Sequence, residues 1–246
     1  MEITSVNNDL VKETVKLQQK KYRNEKFLLE GFKAISEAKH ANINFEYVFV
    51  LKEKSGSYKF LGCEIIETTE QVLKKISTTD SAPDAVAVAY KKVYDKSVLK
   101  IAQKVVLLEN IKDLGNLGTI IRTSVAFGAD AIVLYGESAD LYNPKCVRSS
   151  VGNLWKIPVF EIKGFEELKS TFSDFSRIAT LPRTTKYLKD FRTDFPCLVM
   201  FGSEADGLSD ELSGFATDSV KIEMADTVES LNLSVSCAVV LYKLFL

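Results

Sequence analysis

Residues 197–246 read CLVMFGSEADGLSDELSGFATDSVKIEMADTVESLNLSVSCAVVLYKLFL. Residues 197–201 are an uninterrupted apolar run of strand length, and the glycine-bearing turn GSEADGLS at 202–209 follows directly. A strand that ends in such a turn is how α/β proteins build ligand sites. Residues 220–224 (VKIEM) read as a second short strand. After residues 225–232 comes an apolar segment without a breaker, which predicts a buried helix. On it Ser230, Ser234 and Ala238 recur every four residues as a stripe of small side chains, and Leu231, Val235, Val239 and Tyr242 form the next face. A helix apolar on nearly all sides must be covered by its own domain or by a second subunit. Its apolar end at 244–246 favours a dimer partner.

Upstream, a strand–helix–strand rhythm predicts parallel neighbours: a strand over 104–108, a helix over 116–127 stopped by Gly128, and a strand over 131–135. A further helix begins in 142–150 with Pro144 near its first turn. A strand over 155–160, a helix over 165–175 and a strand over 177–180 complete the series. The first ninety residues form a smaller α/β unit, with helices near 10–17, 30–38 and 69–76 and strands over 47–51, 63–66 and 85–90. The lysine-rich stretch 91–100 lacks a strong apolar period. The expected organisation is therefore a domain over 1–92, a linker over 93–103 and a second domain over 104–246.

At 246 residues the chain can hold two modest cores, and 46% hydrophobic content is ordinary for a soluble protein. A net charge of −1 gives no global field to recruit polyanions, so nucleic-acid contact would rest on local patches. The most basic window is 10–27, where Lys12, Lys16, Lys20, Lys21, Arg23 and Lys26 outnumber Glu13 and Glu25. It reads either as a solvated helix face or as an arm that contacts phosphates. Cys63, Cys146, Cys197 and Cys237 lie far apart without a Cys-x-x-Cys pair, which suits reduced core thiols and no metal site. With no apolar leader and no run long enough to cross a bilayer, the expected location is cytoplasmic.

The segment ENIKDLGNLGTIIRT (109–123) joins a strand to a helix through Gly115 and Gly118. It is neither Gly-x-Gly-x-x-Gly nor a Walker loop, so dinucleotide and NTPase readings lack support. Gly118, Arg122 and Ala126 are spaced by four, which puts a guanidinium on the small-residue side of a helix whose Leu117, Ile120 and Ile121 face a core. An arginine there calls for an anion.

Together NLGTIIRT, LVMFGSEADGLS and IEMADTVESLNLSVSCAVVLY resemble the three motifs of the SpoU methyltransferases, in the SPOUT superfamily of knotted RNA-modifying enzymes. The N-terminal segment resembles the substrate-binding domain of ribosomal-RNA members. The resemblance implies an α/β trefoil-knot domain with a mostly parallel sheet behind a smaller L30e-like α/β domain, and a homodimer. It implies S-adenosylmethionine near Gly202, Ile222, Met224 and Leu231, and methyl transfer to a ribose 2′-hydroxyl in ribosomal RNA, with transfer RNA or a non-catalytic RNA-binding role as rivals. The family's functional positions fall on Asn116, Arg122, Glu204, Ser230 and Asn232. A guanidinium stays charged, so Arg122 is expected to clamp phosphate and stabilise an alkoxide rather than accept a proton. Glu204 is expected to orient Arg122 or Asn116. Ser230 could equally cap the last helix, and Arg148 could meet RNA or pair with Asp140. Two departures stand out: Ala205 where glycine is usual, and Leu114 where proline is usual.

Overall fold

The computed structural model describes Met1–Leu246 as two compact units. The first comprises Met1–Val93 with Asp140–Trp155, and the second Tyr94–Ala139 with Lys156–Leu246. The sequence expectation did not include this excursion at 140–155.

The first unit is built from β1 (Glu2–Ile3), α1 (Asp9–Lys16), β2 (Lys26–Glu30), α2 (Phe32–His40), β3 (Phe45–Leu51), β4 (Glu64–Thr68), α3 (Glu70–Ile76) and β5 (Ala85–Tyr90). Its sheet runs β1-β4-β3-β5-β2, with β5 antiparallel to both neighbours. Asn8 starts α1 by accepting the Leu10 N–H at 2.9 Å. Val11, Val72, Leu73 and Ile76 from α1 and α3 cover Leu28, Phe49, Ile66 and Val88 of the sheet.

In the second unit β6 (Lys104–Glu109), α4 (Leu114–Ala126) and β7 (Ala131–Tyr135) form the expected βαβ opening. The segment 140–155, part of the first unit, carries α5 (Pro144–Ser149). There Tyr142 and Trp155 set their rings 4.9 and 5.3 Å from Phe27 of β2, which explains its allegiance. The second unit continues with β8 (Val159–Ile162), α6 (Phe165–Phe172), β9 (Ser176–Thr180), β10 (Cys197–Phe201), α7 (Asp210–Phe215), β11 (Asp218–Val220) and α8 (Leu233–Phe245). All six strands are parallel, in the order β11-β9-β10-β6-β7-β8. Strands β7 and β10 are buried throughout and β6 is buried from Val105 on, which is why they read as apolar runs.

The chain leaves β6 toward β7 on one side of the sheet, and β9, β10 and β11 fill the other. The strand order therefore switches between β6 and β10, where open parallel sheets bind ligands beyond the strands' carboxyl ends. One expected strand is displaced: pairing with β9 stops at Val220, and residues 222–224 run on unpaired.

Candidate active site

The loops after β6 and β10 meet at that switch point. Asp113 caps α4 by accepting the Asn116 N–H at 2.7 Å, and this fixes Asn116 in the first turn. Leu114 occupies the first helical position, where proline is favoured for its preset φ, so its presence removes no hydrogen bond. After β10 the chain folds into a tight turn in which Ser203 and Gly207 exchange both backbone hydrogen bonds, at 3.0 and 3.1 Å. A side chain at Gly202 would overlap the backbone of Gly207 and Leu208, so glycine is required there. Gly207 takes the left-handed φ of +71°, while Ala205 keeps a negative φ and the turn closes without a glycine at that position.

Three of the expected residues form one hydrogen-bonded chain. Asn116 Nδ2 donates to Glu204 Oε1 at 3.0 Å, and Asn232 Nδ2 donates to Asn116 Oδ1 at 3.1 Å. The remaining oxygen of Asn232 caps α8, accepting the N–H groups of Ser234 at 2.9 Å and Val235 at 3.3 Å. Asn232, not Ser230, is thus the cap of α8. Of the two partners expected for Glu204, it takes Asn116.

Glu204 and Asn232 of this chain line a cleft of 1140 Å³. Gly202, Glu204, Ile222, Met224, Ser230, Leu231 and Asn232 all line it. The cleft exceeds the roughly 300–1,000 Å³ of ordinary small-molecule sites, which leaves room for part of a larger substrate. Arg122 is not brought in. It is exposed on the outer face of α4 with Thr119 and Ala126, outside the cleft lining of its own chain.

Sequence reasoning missed several contributors. Arg183 and Lys221 line the cleft from the loops after β9 and β11. Glu109, buried at the end of β6, accepts the Ser209 N–H at 2.8 Å and anchors the far end of the 202–209 loop. A carboxylate closing an apolar strand was its only trace in the sequence. Beside it the Tyr135 hydroxyl donates to Glu211 at 2.6 Å, and burial, helped by Glu211, pushes this phenol up to about 12.

The basic N-terminal window divides. Lys12, Lys20 and Lys21 are exposed, as an RNA-contacting role needs. Arg23 is not available for RNA: it is buried, its Nε and Nη2 donate to Asp140 Oδ2 at 2.8 and 2.6 Å, and its Nη1 donates to the Leu17 carbonyl. Asp140 is therefore not the partner of Arg148. Arg148 instead donates to Glu30 at 3.1 Å and to the Thr78 hydroxyl at 2.8 Å. No group of three or more His, Cys, Asp and Glu side chains is placed to hold a metal ion, and no helix is long and apolar enough to cross a membrane.

Residues 103–242 match the SpoU rRNA Methylase family. The chain belongs to that family. Residues 8–87 match an MRM3-like substrate binding domain, so both parts of this SpoU protein have counterparts among known proteins. Among relatives, the 23S rRNA (guanosine(2553)-2′-O)-methyltransferase RlmP of Bacillus subtilis is 30% identical, over 99% of this chain and 98% of that protein. An uncharacterized tRNA/rRNA methyltransferase of Synechocystis is 31% identical over 98% and 92%. The crystal structure of an AdoMet-bound rRNA methyltransferase from Sinorhizobium meliloti superposes with a TM-score of 0.87 at 26% identity, covering 99% of this SpoU chain and 96% of that one. The fold is thus the SPOUT α/β class expected from the three motifs, preceded by a smaller α/β unit.

Proposed function

We propose that this protein transfers the methyl group of S-adenosylmethionine to a ribose 2′-hydroxyl of ribosomal RNA. The observation that carries the reading is the Glu204–Asn116–Asn232 chain, which ties the three motif loops together at the edge of the cleft. The lining suits the cofactor. Leu208, Ile222, Leu231 and Val240 offer apolar surface for a purine, and Glu204, Asp206 and Glu229 offer carboxylates for a cationic ligand. Bound there, S-adenosylmethionine supplies a methyl group already activated by its sulfonium.

The protein's own task is alignment and charge stabilisation. Asn116 has both amide atoms engaged, so its loop is fixed before substrate arrives. Ser230 and Asn232 present polar groups where the ribose enters. A charged Arg122 holds the adjoining phosphate and stabilises negative charge on the attacking oxygen, whose proton passes to water.

For Arg122 to do this, a second copy must be present. Asn116 and Asn232 meet at one end of the α4/α8 pair, and the rings of Phe127 and Tyr242 meet at the other, 5.7 Å apart, so the helices run side by side in one direction. Their open faces join Arg122 to Val235, Val239 and Tyr242, all exposed. We read this surface as the seat of a homodimer, since an isologous contact there carries Arg122 of each copy toward the other's cleft. The ribosomal substrate sets the reaction in the cytosol, in keeping with four cysteines that form no disulfide.

The test is methyl transfer from labelled S-adenosylmethionine to deproteinised ribosomal RNA, with transfer RNA alongside. Label in 23S ribosomal RNA is expected; label in neither pool refutes the reading, and label confined to transfer RNA changes the substrate.

A further inference from the structure

The first unit holds a hollow of its own, of 310 Å³, walled by Phe32, Lys33 and Glu37 of α2 and by Arg148 and Val151 of the excursion. Phe32 is 45% exposed, yet it is not loose. The buried Tyr58 ring meets it edge-on at 5.5 Å, and Phe60, 42% exposed, also meets it edge-on at 6.0 Å. A large ring is thus held open to water in a set orientation, against the drive to bury it.

The cations around it are equally arranged. Glu30 and Thr78 fix the guanidinium of Arg148, whose side chain keeps 39% of its surface open. Lys33 is exposed one residue from Phe32. The Glu37 carboxylate lies over Gly152, in the space that any side chain at 152 would need. On the same wall Val151 sits at a φ of +47°, a strained conformation for a β-branched residue.

We propose that this hollow receives an unpaired base of the RNA substrate, stacked on Phe32, with its amino edge read by Glu37 and its phosphates held by Lys33 and Arg148. The proposal rests on the RNA-substrate reading above. Proteins take single-stranded RNA by stacking splayed bases on aromatic rings beside cations that follow the backbone, and duplex RNA offers no free base face. A carboxylate accepts from the cytosine amino group, for which uracil has only a carbonyl in the same place. An anion-only ligand would gain nothing from the ring and would be repelled by Glu37.

The test uses the full chain with poly(C) and poly(U) at one fixed salt concentration, and methyl transfer to 23S ribosomal RNA as the control for function. Wild type is expected to prefer poly(C). Phe32→Ala should bind it about tenfold more weakly, while Phe32→Tyr stays near wild type. Lys33→Glu should also weaken binding, and Glu37→Gln should narrow the difference between the two polymers. Because Lys33 is exposed, Lys33→Glu is expected to leave the melting temperature unchanged, while Phe32→Ala, which removes a ring packed on Tyr58 and Phe60, is judged against Phe32→Tyr, which keeps that packing. If wild type methylates ribosomal RNA while Phe32→Ala and Lys33→Glu both bind poly(C) as tightly as it does, the hollow is not an RNA site. If wild type neither binds nor methylates RNA, the functional reading falls with it.

Discussion

Asn232 donates its side-chain amide to Oδ1 of Asn116 at 3.1 Å, across 116 residues of chain, while its own oxygen caps α8. One residue therefore serves stability with one atom and site geometry with the other. Asn232→Asp separates the two, because aspartate caps a helix as well as asparagine but cannot donate to Asn116. The variant should keep its unfolding free energy to within about 1 kcal/mol and lose methyl transfer by roughly tenfold or more. Chemical denaturation and steady-state kinetics on the same preparation decide this; equal loss of stability and activity would mean that the contact only holds the fold.

Arg122 stands on the open face that α4 shares with α8. Arg122→Lys should lower turnover on the order of a hundredfold, because a point charge cannot grip phosphate and hydroxyl together, with cofactor affinity unchanged. Mixed with an Asn116→Ala preparation, the Arg122 variant should regain part of the lost activity if the two residues act from different copies. Separate titrations of cofactor binding and of activity against mixing ratio measure both effects; no recovery on mixing would place Arg122 in its own chain's site.

Arg23 and its neighbours should respond in opposite ways. The Arg23 and Asp140 side chains are 2% and 12% exposed, so Arg23→Ala leaves a carboxylate in low-dielectric surroundings and should cost about 3–5 kcal/mol of stability. Lys20→Ala with Lys21→Ala should leave the unfolding curve unchanged and flatten the salt dependence of RNA binding by about one unit of slope per lysine. Urea melts and binding over a salt series check the pair. A stability loss confined to the lysine variant would reverse the assignment.

The thiols give a stability prediction with a definite sign. Burial pushes Cys146 and Cys197 up to about 12 and Cys237 well above the usual thiol range, so folding favours their neutral forms. That contribution is complete below the unfolded thiol range and is lost as pH rises through the raised folded values. Burial raises Cys63 as well, but it alone of the four is partly open, so native protein treated with iodoacetamide at mildly alkaline pH should carry one adduct, on Cys63, by peptide mass spectrometry. Early labelling of Cys237 would show that α8 opens.

Much of the catalytic half was legible because its central strands are buried on both faces. The runs that became β6, β7 and β10 could be nothing else once helices of the right length separated them. Hydrophobicity misled at 222–224, where Ile222 and Met224 face the cleft instead of a neighbouring strand. The short run at 26–30 carries little strand signal of its own in the sequence, and its partner β5 lies some sixty residues on, with Lys26 opposite Tyr90. Arg23 looked like its basic neighbours because its distinguishing contact, Asp140, is 117 residues away. The three motifs placed Asn116, Glu204 and Asn232 at one site, yet nothing in their spacing revealed that Asn116 would be the middle member.

The cleft lined by Glu204 and Asn232, with Asn116 hydrogen-bonded to both, is proposed to methylate a ribose oxygen. Incubating the protein with S-adenosylmethionine and deproteinised 23S ribosomal RNA, then hydrolysing the RNA in alkali, reads this directly, since a 2′-O-methyl group blocks cleavage of the bond beside it. One alkali-resistant dinucleotide carrying the new methyl group is expected, absent with Asn116→Ala. A methyl group found on a base, with every phosphodiester bond still cleaved by alkali, would contradict it.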